Sequence, residues 1–296
     1  MRQPALVCIV GPTASGKTQL AVERAQATDS VILSCDSLCF YRGMDIGTAK
    51  PTAEEQALVP HFGIDLVEPS EPYSVSRYVA YRDDLLEKML AEGRNVVVVG
   101  GSGFYLKSFL YPVTDSLEIP EEISAAVNSL KQTEGLDGLL RELRNVNPPG
   151  EPFTGLDLNN SRRVEKALIR CLASGKGYQE LRDAFDAMPE PLPEWSKEVW
   201  LIERPQEELQ ARNRMRVGRM LDAGLIQEVE SLRQRGFEKN PSACGAIGYR
   251  EVLQHLDGEL SLQELEEAIY VHTNQLMRKQ RTWFKNQMKV DKVVSG

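Results

Sequence analysis

The chain has 296 residues, of which 42% are hydrophobic and 26% are charged, as expected for a globular protein with a sizeable core. This composition excludes wholesale disorder, collagen-like repeats and a small disulfide-stapled scaffold. The 35 basic and 43 acidic residues give a net charge of −8, which argues against a nonspecific nucleic-acid coat but leaves local basic patches open.

Cysteine and histidine spacing gives no sign of a zinc site or a disulfide framework. The 5 cysteines contain no C-x-x-C pair, and the 3 histidines are far apart. Buried free thiols in a reducing compartment are the expected state. The first apolar run is too short for a secretory signal, and no apolar stretch is long enough to cross a membrane. We therefore expect a cytoplasmic protein without membrane contact.

In chain order, the first third predicts strands that alternate with helices. Apolar runs predict strands at residues 5–10, 31–35 and 95–99, and helical patterns occupy residues 18–26 and 76–91. Buried strands that alternate with helices indicate an α/β fold with a parallel sheet flanked by helices on both faces.

The chain becomes helical after residue 114. Residues 116–195 predict an all-helical insertion, with helices at 120–132, 135–144, 160–174 and 177–187. Residues 199–202 then predict a strand that returns to the sheet, followed by helices at 206–223, 225–235, 246–255 and 262–290. The predicted domains are therefore a core beginning at residues 1–115, the insertion 116–195, and 196–296 as the return to the core plus C-terminal helices.

Residues 11–18 match the phosphate-binding loop (P-loop) pattern G-x-x-x-x-G-K-[ST] between a predicted strand and a predicted helix. Backbone N–H groups and the helix N-terminus can bind a phosphate or diphosphate there. Lys17 adds a positive charge, and the Thr18 hydroxyl is placed to ligate Mg²⁺. The strand and helix context disfavours a chance match and predicts a P-loop NTPase-like sheet. The candidate diphosphate-binding residues are Gly11, Pro12, Thr13, Ala14, Ser15, Gly16, Lys17 and Thr18.

The carboxylate that P-loop ATPases use to hold magnesium is missing from the third predicted strand, which ends in glycines. The second predicted strand does end in an acid, Asp36. Because catalytic groups of open α/β sheets collect at the carboxyl ends of strands, Asp36 should face the P-loop. Its alternative role is to cap a turn.

Two basic segments interrupt the acidic background. Arg212, Arg216 and Arg219 share one face of a predicted helix, where they suit either diphosphate binding or a solvated surface. Residues 270–292 carry six cations and one acid around Trp283 and Phe284. This pattern suits single-stranded RNA, although the aromatics can also anchor the helix to the core. A smaller cluster near residue 162 opens a predicted helix and suits a phosphate contact.

The motifs together resemble the bacterial tRNA dimethylallyltransferases (tRNA isopentenyltransferases) over nearly the whole chain. The P-loop is followed by Asp36-Ser37 and by the segment 41–50, which ends in Asp-Ile-Gly-Thr-Ala-Lys. Further matches are Gly100-Gly101 with Tyr105, then segments within 220–229, 247–251 and 279–284. The segment 45–50 at this distance behind a P-loop is far more specific than the P-loop alone.

The resemblance implies transfer of a dimethylallyl group from dimethylallyl diphosphate to N6 of the adenosine 3′ of the anticodon, position 37. It implies that Lys17, Thr18 and Mg²⁺ neutralise the leaving diphosphate, with Arg212 or Arg216 assisting. Asp36 would act as general base, and Ser102 would make a polar contact near the reacting centre.

The resemblance also implies an anticodon stem-loop partner and a set of RNA contacts. The extruded base would lie beside residues 36–39, and the insertion and C-terminal helices would grip the stem-loop. The implied tRNA-binding residues are Asp36, Ser37, Leu38, Cys39, Arg162, Arg163, Lys166, Gly248, Tyr249, Arg250, Arg278, Lys279 and Arg281. A monomer is the expectation, and the sequence leaves the oligomeric state open.

The sequence departs from the family pattern at several positions. Ser102 stands where the family usually has Thr, so the hydroxyl is kept. Asn274 replaces a usual Arg and removes an expected cation, and Phe62-Gly63 replaces commoner residues. Alternatives to tRNA prenylation are prenyl transfer to free adenine nucleotides, a P-loop small-molecule kinase, and an RNA-binding protein with a vestigial P-loop.

Overall fold

The computed structural model describes residues 3–296 and divides into two compact units. The first comprises the chain up to Tyr111 together with Pro191–Gly296, and the second is Pro112–Glu190. The first unit carries the sheet, and the second is built from helices.

A six-stranded sheet with the order β3-β2-β4-β1-β5-β6 forms the centre of the first unit, and every strand pair is parallel. Valine, isoleucine and leucine dominate its inner strands, as expected for strands buried on both faces. The predicted α/β class is therefore confirmed. The strands are β1 Ala5–Val10, β2 Val31–Ser34, β3 His61–Phe62, β4 Val96–Gly100, β5 Ser196–Glu203 and β6 Lys292–Ser295.

The sequence pattern predicts only helices after residues 199–202, which was wrong at the C-terminus, because β6 pairs with β5 at the edge of the sheet. The helices are α1 Lys17–Ala27, α2 Ala53–Leu58, α3 Val75–Ala91, α4 Gly103–Lys107, α5 Glu121–Asn145, α6 Ser161–Ser174, α7 Tyr178–Asp186, α8 Gln206–Asp222, α9 Leu225–Gln234, α10 Pro241–Cys244, α11 Tyr249–Leu256 and α12 Leu262–Gln287.

The two faces of the sheet bury separate apolar layers. Val7 and Ile9 of β1 pack with one face of α1, while Leu6 and Cys8 lie in the layer that includes α3 and Phe284 of α12. Successive residues of a strand point to opposite faces, which is why β1 contributes to both layers. The strand ends are thereby fixed from both sides.

A second core in the same unit packs α8, α9, α11 and α12 against the segment that follows β2. Its fully buried members include Met44, Leu225, Val229 and Tyr249. This core determines where residues 44–50 and the basic face of α8 lie relative to the P-loop.

The second unit has its own apolar core between α5, α6 and α7. Val127, Leu143, Val164 and Leu168 are buried there. The two helices predicted at 120–132 and 135–144 form one element that is interrupted at Gly135, whose φ of 62° lies in the left-handed region that glycine adopts without steric cost.

Candidate functional site

The P-loop joins β1 to α1 and surrounds the N-terminus of that helix. Gly16 adopts φ 93°, and a Cβ on Gly11 would lie 3.0 Å from the carbonyl oxygen of Ile202, so both positions favour glycine. The buried Ser15 Oγ has no hydrogen-bond partner among the described residues. A buried hydroxyl without a partner at a helix N-terminus suits an incoming phosphate oxygen.

Lys17 is folded back on the P-loop, and its Nζ donates to the carbonyl of Pro12 at 2.7 Å. Burial lowers the pKa of Lys17 to about 8; the negative charge of Asp36 opposes this effect and the positive charge of Arg216 adds to it. The charges of Asp36 and Arg216 therefore both affect the protonation of Lys17.

Two of the three arginines on the predicted basic face contact the P-loop. Arg212 Nε donates to the carbonyl of Ala14 at 2.8 Å. Arg216 donates to Thr13 Oγ1 at 3.1 Å, and burial lowers its pKa. Arg219 is exposed and lies outside this contact.

Sequence reasoning missed a third P-loop arginine. Arg204 follows β5, and its Nε donates to the carbonyl of Ser15 at 2.8 Å. Its position at a strand end was the available signal, because strand ends of a parallel sheet meet at one edge.

Asp36 lies two residues after the end of β2 and is half-buried. Its Oδ1 accepts the backbone N–H of Leu38 at 3.2 Å, so the turn-capping role is present. The negative charge of the carboxylate also favours the protonated forms of Lys17 and Arg216, because it raises the pKa of each against the effect of burial. The turn hydrogen bond uses one oxygen, and a carboxylate has two oxygens and several acceptor positions, so the cap leaves acceptor positions for a further contact.

Ser102 connects the end of β4 to the end of β2. Its Oγ accepts the N–H of Ser37 at 3.0 Å and donates to Ser37 Oγ at 3.1 Å. The replacement of Thr by Ser at this position keeps a hydroxyl that organises the segment beside Asp36.

Gln280 of α12 joins two of these segments, and sequence reasoning gave it no role. Its Oε1 accepts the N–H of Thr13 at 2.9 Å, and its Nε2 donates to the carbonyl of Gly101 at 3.1 Å. The available signal was its place in the Lys279-Gln280 motif.

Glu228 of α9 holds the segment 45–50 in place through the segment's backbone. Its carboxylate accepts the N–H groups of Asp45, Ile46 and Gly47 at 3.1, 2.7 and 3.3 Å, and the hydroxyl of Tyr249 at 2.7 Å. Thr48 of this segment accepts a hydrogen bond from Arg216 through its carbonyl at 3.4 Å.

Comparison with known proteins identifies the family. A model described as "IPP transferase" matches residues 39–287, and one described as "Isopentenyl transferase" matches residues 4–60. A tRNA dimethylallyltransferase of Opitutus terrae is 46% identical over 97% of this chain and 91% of its own length. The chain belongs to the tRNA dimethylallyltransferase family.

Solved structures of tRNA dimethylallyltransferase relatives show the same fold. The tRNA isopentenylpyrophosphate transferases of Staphylococcus epidermidis and Bacillus halodurans are 32% and 30% identical, with TM-scores of 0.69 and 0.68. Both comparisons cover 99% of this chain, and they cover 93% and 90% of the other chains. A eukaryotic dimethylallyltransferase acting on tRNA, 23% identical with a TM-score of 0.85 over 99% of this chain and 74% of that one, shares the fold.

The predicted RNA contacts of this dimethylallyltransferase family member fall into two groups. Exposed side chains include Arg250 and, on α12, Arg278, Lys279 and Arg281. A cavity of about 320 Å³ is bordered by Arg204, Arg278, Arg281 and Lys285. Arg162, Arg163 and Lys166 are exposed on α6 of the second unit, whose N-terminus Asn160 caps.

Other predicted RNA contacts face inward. Tyr249 is fully buried against Glu228, so we reassign it from direct RNA contact to support of the segment 45–47. Gly248 and Cys39 are also buried, and burial raises the pKa of the Cys39 thiol to about 12. Leu38 is half-buried. Phe284 lies in the core, which is the anchoring role considered for the C-terminal aromatics.

Position 274, where the family usually has Arg, lies inside the molecule in this chain. Asn274 is buried and accepts a hydrogen bond from Asn213 at 3.1 Å. In place of the expected cation, the chain has a buried amide pair between α8 and α12.

Metal-binding side chains do not cluster within residues 3–296, where no group of three His, Cys, Asp or Glu residues could hold an ion. In the same range no helix is both long and apolar enough to cross a bilayer.

Proposed function

We propose that this chain transfers a dimethylallyl group from dimethylallyl diphosphate to N6 of the adenosine at position 37 of tRNA and releases diphosphate. Its family membership supports transfer to tRNA, because relatives over nearly the whole chain carry the name tRNA dimethylallyltransferase. The observation that carries the chemistry is that Arg212 and Arg216 both donate hydrogen bonds to the P-loop, at Ala14 and Thr13. The negative charge of Asp36 opposes the lowering of the pKa values of Lys17 and Arg216 that burial causes.

The cationic side of the site would bind the diphosphate. Lys17, Arg212 and Arg216 surround a loop whose backbone N–H groups and Ser15 hydroxyl can bind oxyanions. Negative charge grows on the diphosphate as the bond from its oxygen to the prenyl carbon breaks. Fixed positive charges that stabilise this developing charge lower the barrier.

The acidic side of the site would activate the nucleophile. The exocyclic nitrogen of adenine is a weak nucleophile, so removal of its proton as the nitrogen–carbon bond forms assists the reaction. Asp36 would accept that proton, and its turn hydrogen bond to Leu38 would hold the carboxylate in place. Ser37 and Ser102, which are hydrogen-bonded to each other, would border the base.

The protein groups fit a magnesium ion that enters with the diphosphate. Thr18 is the second residue of α1 and offers a hydroxyl oxygen, a ligand type that Mg²⁺ accepts. Mg²⁺ keeps several waters and relies on substrate phosphates, so a single protein oxygen matches its usual mode in such sites. When bound, the ion would neutralise charge on the leaving diphosphate.

The exposed cations Arg250, Arg278, Lys279 and Arg281 would contact the anticodon stem-loop, and Arg162, Arg163 and Lys166 would do so from the helical unit. Arginine and lysine side chains bind nucleic-acid phosphates, and such contacts fix register and orientation. Loop bases are accessible without opening a duplex, so extrusion of the target adenosine costs little.

A single assay tests the proposed function. Purified protein is incubated with Mg²⁺, labelled dimethylallyl diphosphate and unmodified tRNA, with AMP in a parallel reaction. Label in tRNA at adenosine 37, located by nuclease digestion and mass spectrometry, is the expected result. Label in AMP alone would show that the acceptor is a free nucleotide and not tRNA. ATP consumption without prenyl transfer would indicate a kinase.

A further inference from the structure

Gln280 spans the gap between the P-loop and the end of β4, two segments that belong to different halves of the proposed reaction centre. We infer that Gln280 is a positioning residue, an inference that rests on the proposed function. Its side-chain amide sets the spacing between the bound diphosphate and the groups that hold the acceptor base.

Both polar atoms of the Gln280 amide are engaged. Oε1 accepts the N–H of Thr13 at 2.9 Å, and Nε2 donates to the carbonyl of Gly101 at 3.1 Å. Thr13 belongs to the P-loop after β1, and Gly101 follows β4 directly. One amide therefore bridges the ends of two adjacent parallel strands.

Each end of this bridge leads to a proposed reactive group. Thr13 also accepts a hydrogen bond from Arg216 through its hydroxyl. The position of Thr13 therefore affects a cation that would bind the diphosphate. Gly101 precedes Ser102, whose hydroxyl is bonded to Ser37 beside Asp36. A shift in the bridge would change the distance between the leaving diphosphate and Asp36, the proposed general base.

The helix that carries Gln280 is held firmly at this point. Phe284, one turn further along α12, is fully buried in the core under the sheet. Trp283 lies so close to Gly103 that a Cβ there would overlap its ring. Residues three and four positions apart share a helix face, so the packed aromatics fix the direction of the Gln280 side chain.

Glutamine is the side chain that fits both contacts. A glutamate would keep an acceptor for Thr13 but would place a second oxygen against the Gly101 carbonyl, and it would add negative charge beside the diphosphate site. Lysine or arginine would offer no acceptor to the Thr13 N–H. A methionine has nearly the same length but neither strong donor nor acceptor, so it removes the bridge while filling the space.

The test compares Gln280→Met and Gln280→Glu with Gln287→Met, an exposed glutamine on the same helix. The first measurement is hydrogen–deuterium exchange of the wild-type and variant proteins without ligand. We expect faster exchange in the peptides that contain Thr13 and Ser102 for both Gln280 variants, and unchanged exchange for the control. This readout does not depend on the reaction catalysed.

The second measurement is steady-state prenyl transfer together with binding of inorganic diphosphate and of unmodified tRNA. We expect kcat to fall about 10- to 100-fold in Gln280→Met, because a small misplacement of reacting groups has an effect of this size. The Kd for diphosphate and the Kd for tRNA should each stay within about threefold, because the cations and the RNA surface remain. Gln280→Glu should lose at least as much activity, and Gln287→Met should match the wild type.

Unchanged exchange at Thr13 and Ser102 would overturn the inference, and so would a wild-type kcat in Gln280→Met. A parallel loss of kcat and diphosphate affinity would also overturn it, since Gln280 would then bind the diphosphate itself. Wild-type protein that transfers no prenyl group to tRNA would refute the proposed function. The bridge would then be judged by the exchange experiment alone.

Discussion

The hydroxyl of Tyr249 donates to Glu228 at 2.7 Å, and the same carboxylate accepts the N–H groups at the start of the segment 45–50. Three motifs that are far apart in the sequence therefore meet at one carboxylate. A ring of this size fits because Gly47, which has no side chain, lies against it. The segment in turn presents the carbonyl of Thr48 to Arg216. These contacts connect the buried Tyr249 and the half-buried Glu228 to Arg216, which also contacts the P-loop through Thr13.

Tyr249→Phe should lower the free energy of unfolding by about 1.5–3 kcal/mol, the range for a hydrogen bond to a charged group. The ring stays in place, so packing is retained and the half-buried carboxylate of Glu228 loses one donor. Urea unfolding followed by circular dichroism measures the change. Tyr111→Phe, at an exposed tyrosine, is the control. Equal midpoints for the two variants would show that the Glu228 contact adds no stability.

The main strands were predictable because their apolar character is continuous. Residues 5–10, 31–34 and 96–100 are buried on both faces, and such strands need no long-range information to be found. The edge strands β3 and β6 were missed. β3 has only two residues, and β6 is mostly exposed with Lys292 at its start, so neither carries a strong apolar pattern.

The site was predictable where its residues are contiguous and unpredictable where they are not. The P-loop and Asp36 follow from local pattern and strand position. The contact of Gln280 with Thr13 spans 267 positions, and no periodicity within α12 indicates it. Tyr249 was predicted as an RNA contact because its motif resembles the family's, but a motif does not show which side chains face inward. Burial in the core formed with α9 decides that.

Asp36→Asn should lower the turnover of prenyl transfer by about 10²- to 10⁴-fold, the usual contribution of a general base. The amide oxygen can still accept the N–H of Leu38, so the turn is kept. Asp36→Ala should lose similar turnover and also some stability, because the turn cap is lost. Single-turnover rates and thermal unfolding separate the two effects, and the tRNA Kd should change little in either variant. Normal turnover in both variants would rule out a base at position 36.

Diphosphate binding should weaken as the pH rises through about 8, the pKa to which burial lowers Lys17. Below that pH the amine carries its charge and attracts the anion. Above it the free protein holds a neutral lysine, so binding must take up a proton, and the affinity falls by up to about tenfold per pH unit. Calorimetry of diphosphate binding from pH 7 to 9 without metal measures the slope.

The matched control for this pH dependence is Lys17→Arg, because arginine keeps its charge over the whole range. Diphosphate itself titrates, and its contribution is common to both proteins. The difference between the two slopes therefore belongs to Lys17. Identical slopes would mean that the lysine does not titrate in this range or does not sense the anion.

Arg216→Lys should raise the Kd for diphosphate about tenfold, equivalent to about 1.4 kcal/mol. Arg216 donates through two nitrogens, to Thr13 Oγ1 and to the carbonyl of Thr48, and a lysine ammonium cannot reproduce this planar arrangement. Arg219→Lys lies on the same helix but is exposed, and it should bind diphosphate like the wild type. Calorimetry on the three proteins at pH 7 gives the comparison. An equal Kd for Arg216→Lys and Arg219→Lys would show that Arg216 does not bind the diphosphate through its planar fork. The contact would then fall to the other arginines on the P-loop, Arg212 at Ala14 and Arg204 at Ser15.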